Sequence, residues 1–519
     1  MNNNISNSSQ SKSKEDEEVT IDFSPEEAPS SSLWTPSGNF LKDFIHFSGP
    51  GWLVSIAYVD PGNYQADIQA GATTRYNLLF TLFWTSLLSI YVQVLCVRLA
   101  LYGKLNLAEA QAKYSAKTNA WLRYFEWFIA EFSTIITDLP GIVGFAIAAR
   151  FFFDVPYIVG LLFSLLTTMV FLSTLNSGFK ILEGIICIFV GIMSIAIFTE
   201  MATVQPSGSD IMRGWMLGFL EVKQDDIFSI AGIIGAVVMP HNLYLHSGDL
   251  KSRSFAIKQS PDVIDKAAFY CSIEPIAPIL ISFFINLAVV AVAAETVYGS
   301  DDASKVGLTD FCNYFQSLPN GCFLWAVALL AAGQSGAITT TYTGQYVMDG
   351  FLNLQIPLAL RAIITRLVAI TPSILVCLLV PDKLNELVNV VNALLGFLLP
   401  FAFTPLVKYN CEERVMGKGN ASKGFEKALL YMFALLVWAI NAVTLSIPGG
   451  GFFGEVVPNM EMSISKALLI ALQMFLQIGY AWWNFKTLFE NLDKTDDVEE
   501  MDASSQELVP MGREQGELT

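Results

Sequence analysis

Charge is scarce in this sequence. Charged side chains make up 15% of the 519 residues, against about 25% in soluble globular domains, and that shortfall excludes an ordinary soluble enzyme. Histidine occurs three times and cysteine seven times, too sparsely for a disulfide-held scaffold. No G-x-x-x-x-G-K-[ST] loop occurs, nor any polar stretch large enough for a nucleotide domain, which argues against an ATP-driven pump. The N-terminus lacks the basic segment and short apolar run of a cleaved signal peptide, so the first apolar helix is expected to direct insertion. No resident cofactor and no nucleic-acid partner are expected.

What is abundant is apolar. Hydrophobic residues reach 53% and the mean hydropathy is +0.48. The formal net charge is −17, from 30 basic and 47 acidic side chains. Residues 1–45 carry 3 basic and 8 acidic groups, and residues 490–519 carry 2 and 10, so the two tails hold −13 of the −17. A near-neutral apolar body between two acidic tails describes an all-α polytopic membrane protein. The tails, 1–45 and 490–519, read as disordered, and the membrane body spans 46–489.

A spanning helix needs about 20 apolar residues. Twelve candidates lie near 47–73, 77–101, 121–152, 156–174, 179–202, 228–248, 268–295, 321–349, 358–380, 385–407, 426–447 and 464–488. Basic residues decide their orientation. One set of loops holds Lys104, Lys113, Lys117, Lys251, Arg253, Lys258, Lys266, Lys408, Arg414, Lys418, Lys423 and Lys427, while the opposite set holds Arg75, Arg213, Lys223, Lys305 and Lys383. Both termini are therefore expected in the cytosol, and the sequon Asn420-Ala421-Ser422 is expected to stay unused. Cys312 and Cys322 share one outward loop, where they form either a disulfide or two free thiols.

Two spans are interrupted. Asp60-Pro61-Gly62-Asn63 breaks the first and Met239-Pro240-His241-Asn242 breaks the sixth. Proline removes a helical hydrogen bond and clashes with the preceding turn, and unwound backbone at membrane depth is tolerated only where it lines a cavity. Both breaks read ligand-type residue, Pro, any residue, Asn. They open two successive groups of five helices, the pattern of a transporter built on an inverted repeat with its substrate at the midplane. Asp60 offers a carboxylate, Asn63 an amide oxygen, Met239 a thioether, and the unwound backbone frees the carbonyls of Ala57 and Ala236. A thioether beside oxygen ligands favours a transition-metal ion over Mg²⁺ or Ca²⁺.

These motifs resemble those of the Nramp family (natural resistance-associated macrophage proteins), proton-coupled transporters of divalent metals. The resemblance rests on DPGN at 60–63, MPHN at 239–242 and GQSGAITTTYTGQYVMDGFL at 333–352, and extends over roughly residues 45–490. It implies a LeuT-type inverted repeat, with repeat one near 46–202, repeat two near 228–408 and two extra helices near 426–488. It implies Asp60, Asn63, Met239 and the Ala57 and Ala236 carbonyls as ligands for Fe²⁺ and Mn²⁺, moved toward the cytosol. A proton route is implied from Asp60 past His241 toward the span-three acids Glu131 and Asp138 and the span-nine Arg366, with His246 a further titratable group. Acidic endosomal, lysosomal or phagosomal membranes are favoured over the plasma membrane. Three departures stand out: Gly141 where many members carry a second span-three acid, Gln65 where glutamate is common, and Leu395 and Leu398 where span-ten glutamines are common. Glu274 is a further intramembrane acid without an evident role. The alternatives are a symporter of organic substrates on the same fold, where Asp60 would repel a substrate carboxylate, and a metal uniporter without tight proton coupling.

Overall fold

The computed structural model describes residues 33–49, 57–115, 120–315, 320–354, 356–380, 383–445 and 464–490. Among these the chain is helical, and its only sheet-like pairing is an isolated bridge between Trp34 and Ile257. The helices that carry the argument are α1 (Phe40–Phe47), α2 (Pro61–Thr74), α3 (Leu79–Leu101), α4 (Ala120–Phe153), α5 (Tyr157–Val204), α6 (Ile227–Val238), α7 (Pro240–Ser254), α8 (Pro261–Ile273) and α9 (Ile276–Thr296). They continue with α10 (Gly321–Leu352), α11 (Leu358–Leu379), α12 (Leu384–Leu398), α13 (Pro400–Asn410), α14 (Gly424–Thr444) and α15 (Ile464–Phe489).

Eight helical stretches among the described residues are long and apolar enough to cross a bilayer. Of the other four expected spans, the first is described only from Ala57 onward, and the last is the 26-residue α15. Spans four and five are joined. Residues 157–204 form one helix of 48 residues, about 72 Å at 1.5 Å per residue, against a hydrocarbon core about 30 Å thick. Pro156 precedes it and Pro206 follows Gln205, which closes it in a left-handed conformation, but no proline lies between to break the ladder. The N-terminal tail also ends earlier than its composition suggests. Asn39 accepts the backbone N–H groups of Leu41 and Lys42 at 3.1 and 3.3 Å, an N-cap that starts α1 within the stretch read as disordered. The C-terminal tail beyond Glu490, with most of the N-terminal one, lies outside the described residues.

Aromatic side chains on the outside of α4 recur at helical spacing, with Trp121, Phe125 and Phe128 all exposed, as expected of a helix whose outer face meets lipid. Inside, helices approach through small residues. Gly141 of α4 lies against Gly333 of α10, where a Cβ on residue 141 would sit 3.2 Å from the Gly333 carbonyl oxygen. A side chain at 141 would therefore press on the α10 backbone, and glycine keeps this crossing close. Cys312, on the segment before α10, forms a disulfide with Cys322 in the first turn of α10.

Candidate metal site

Both interruptions are real breaks. Asp60 is not helical (φ −86°, ψ 166°) and caps α2, whose first residue is Pro61, where the missing N–H costs nothing. Its carboxylate Oδ1 accepts the Asn63 backbone N–H at 2.7 Å and the Asn63 Nδ2 at 2.9 Å. The same Nδ2 donates to the Ala57 carbonyl at 3.1 Å. This triangle turns the Asn63 amide so that Oδ1 is left as a buried acceptor with no protein partner.

Met239 ends α6 and starts α7 at φ 47°, ψ 108°, a conformation uncommon for any residue but glycine and found mostly at functional sites. Its N–H reaches the Gly235 carbonyl at 3.3 Å, and Asn242 Nδ2 lies 3.7 Å from its sulfur. Ala57, Asp60, Asn63, Ala236, Met239 and His241 are all buried.

One residue of α12 touches the first break and also α6, one turn before the second break. Asn392 Nδ2 donates to the Gly62 carbonyl at 2.8 Å, and a Cβ on Gly62 would lie 3.0 Å from Asn392 Oδ1 and 3.3 Å from Asp60 Oδ1. On the other side, a Cβ on Gly235 would collide with the Asn392 carbonyl. Glycines at 62 and 235 therefore let α2 and α6 close onto the same asparagine, whose Oδ1 is buried and unpartnered. Leu395 and Leu398 are core residues, and the polar residue that α12 presents to the first break is Asn392, three residues before Leu395. Among the described residues no three His, Cys, Asp or Glu side chains converge, so a cation here would meet one carboxylate and several neutral donors. That composition suits a site that must let go of its ion.

The titratable groups fall into separate clusters. Asp138 Oδ2 lies 3.0 Å from Arg366 Nε with both side chains buried, although neither group makes a well-aligned hydrogen bond there. Glu131 pairs instead with Arg361, a residue sequence reading passed over. The Arg361 guanidinium fills the space above Gly344 in the 333–352 motif. Two residues beyond Asp138, Pro140 packs its ring 3.4 Å from a Cβ built on Gly62, which sets span three directly against the first break. His241 is buried one residue beyond Pro240, and its Nδ1 has no partner. His246 Nδ1 meets Gln93 Oε1 at 2.5 Å. Gln93 Nε2 in turn donates to the Tyr58 hydroxyl at 3.0 Å, and that hydroxyl meets Ser89 Oγ. His246 is thereby tied to the residue two before Asp60. Gln65 accepts the Leu308 N–H at 2.9 Å from the segment between α9 and α10, so the residue standing in for glutamate holds that segment on α2. Asp67, also buried and with one oxygen unpartnered, is an intramembrane acid that the span-one motif hid.

A helical membrane bundle with two broken helices and buried, unspent oxygen acceptors at the first break has the make-up of a membrane carrier. Residues 51–446 match the family described as natural resistance-associated macrophage protein-like. The chain is 36% identical over 413 residues to "Metal transporter Nramp2" of Populus trichocarpa, covering 77% of this chain and 75% of that one. It is 35% identical to "Metal transporter nramp1 homolog" of Dictyostelium discoideum, over 77% and 74% of the two chains. Among solved structures it is similar to a manganese transporter from Eremococcus coleocola, with TM-score 0.76, 26% identity, and 90% and 98% of the two chains covered. The chain belongs to the Nramp family of metal-ion transporters and is an integral membrane protein.

Proposed function

We propose that the protein is a proton-coupled symporter that carries Fe²⁺ and Mn²⁺ into the cytosol by alternating access. Asp60, Asn63, Met239 and the carbonyls of Ala57 and Ala236 would hold the ion. The observation that carries this reading is that Asn392 packs between the first break and the last turn of α6, with the Asn63 and Asn392 amide oxygens buried and unspent. Buried acceptors without partners are expensive, and a divalent ion between them would satisfy both. The manganese transporter named for the similar solved structure and the thioether donor support the choice of metals. The basic loops support cytosolic termini, and an acidic endosomal, lysosomal or phagosomal lumen would supply the protons.

In this reading protons leave Asp60 past His241 toward the two carboxylate–arginine pairs, Asp138–Arg366 and Glu131–Arg361, with His246 joined to the same region through Gln93 and Tyr58. Gly141 at the α4–α10 crossing adds no further acid, and the third acid of α4, the buried Glu126, is not used by this route. Uptake of Mn²⁺ into vesicles should rise as the outside pH falls from neutral to mildly acidic. A flux independent of pH would favour uniport. Replacement of Met239 by alanine should reduce the preference for Mn²⁺ over Ca²⁺ by roughly tenfold, because the soft donor is gone. Unchanged competition by Ca²⁺ in the uptake assay would remove Met239 from the ligand set.

A further inference from the structure

The first span is fastened at its foot by contacts that the metal site does not need. The Gly49 N–H donates to Glu274 Oε1 at 2.8 Å, across 225 residues. Glu274 is buried where α8 gives way to α9. Gly49 has φ +151°, and a Cβ there would approach within 3.1 Å of Arg253 Nη1, so this glycine lets the backbone pass against the guanidinium. Arg253, near the end of α7, is paired with Asp249 at 3.1 Å.

The strap continues upstream. Trp34 N–H donates to the Ala256 carbonyl at 2.8 Å, and the Lys258 N–H returns to Trp34 at 3.2 Å. The Trp34 ring packs edge-on against Phe47 at 4.6 Å, and Phe47 stacks on Tyr270 of α8 at 6.0 Å. The chain entering span one is thus tied at two points to the segment that ends α7, and at one to the α8–α9 junction.

We propose that Glu274 is a positioning residue for transport, the latch that holds the segment leading into span one against α7 and the α8–α9 junction at Gly49. The inference rests on the alternating-access reading above. For an ion at Asp60 to leave by that face, the segment leading into span one, residues 33–49, must part from the end of α7 and from the α8–α9 junction, where Gly49 is held. A carboxylate–backbone hydrogen bond is strong while water is excluded and weak once water reaches it. The contact therefore favours either fully closed or fully open, and little between.

Cys271 reports on this junction. It is buried one turn before Glu274, within electrostatic reach of Glu274, Arg253 and Asp249, whereas Cys96 is buried elsewhere, with its thiol toward the Leu243 carbonyl. The experiment follows labelling of purified full-length protein by a charged, water-soluble maleimide, read per cysteine by mass spectrometry, beside Mn²⁺ uptake in vesicles. Glu274→Ala should speed Cys271 labelling about tenfold and lower the maximal uptake rate. Binding of Mn²⁺ should stay within about twofold of wild type and Cys96 should remain protected. Glu274→Gln, which keeps an acceptor but no charge, should fall between. If Glu274→Ala does not accumulate, Arg253→Gln is expected to show the same selective exposure. Labelling of Cys271 at the wild-type rate would overturn the latch, as would Cys96 and Cys271 becoming reactive together, since that signals general loosening. Absence of Mn²⁺ uptake by the wild type would overturn the transport reading instead, and is visible in the same preparation.

Discussion

Asp60→Ala is expected to lower Mn²⁺ uptake by at least about 100-fold, since second-shell groups alone are worth roughly 10- to 100-fold in metal affinity and Asp60 is the one carboxylate in the proposed ligand set. The same side chain caps α2 by accepting the Asn63 N–H. Alanine would therefore also cost about 1 kcal/mol of stability, and a bare loss of activity would be ambiguous. Asp60→Asn separates the two effects. It retains an oxygen for the cap and removes only the charge, so it should melt within a few degrees of wild type in detergent while transporting as poorly as the alanine variant. Recovery of uptake in Asp60→Asn would mean that the carboxylate serves the fold and that the ion is held elsewhere.

Arg366→Met should destabilise the protein by about 3–5 kcal/mol, the usual result of leaving one member of a buried ion pair without its partner. Asp138 and Arg366 are both buried, 3.0 Å apart, with α4 and α11 closing around them. The double variant Asp138→Asn, Arg366→Met should regain most of that loss, because replacing both charges removes the desolvation penalty as well as the attraction. Denaturation in detergent measures the stability, and the pH profile of uptake measures coupling. The double variant is expected to be stable but to show a flattened pH dependence. A double variant with full stability and an unaltered pH profile would make the pair structural and send the proton by another route.

Much of this arrangement is legible in the sequence because the membrane penalises exceptions. A proline beside an aspartate in the middle of an apolar run has few tolerable explanations, so both breaks and their side-chain donors stand out by residue number. Asn392 does not. It is one of three asparagines in Leu384–Leu398, and only the register of α12 against Gly62 and Gly235 shows which of them turns inward. Arg361 is the fourth residue of α11, where a cation ordinarily snorkels to the interface. It is buried because Gly344, some distance along another helix, leaves room for the guanidinium. The 48-residue α5 is illegible for the opposite reason. A window sized to one bilayer divides a long apolar run into two spans, whereas the chain breaks only where hydrogen bonds are interrupted. Glu274 is readable as an intramembrane acid, but its partner is a backbone N–H, and no sequence pattern marks a main-chain donor.

The central claim is that one dication sits between the Asp60 carboxylate, the Asn63 amide oxygen and the Met239 sulfur. Anomalous diffraction from crystals grown with Mn²⁺ tests it directly. The account predicts a single strong peak within bonding distance of all three groups, absent from crystals of Asp60→Asn. A peak at another place in the bundle, or one that persists in Asp60→Asn, would contradict it.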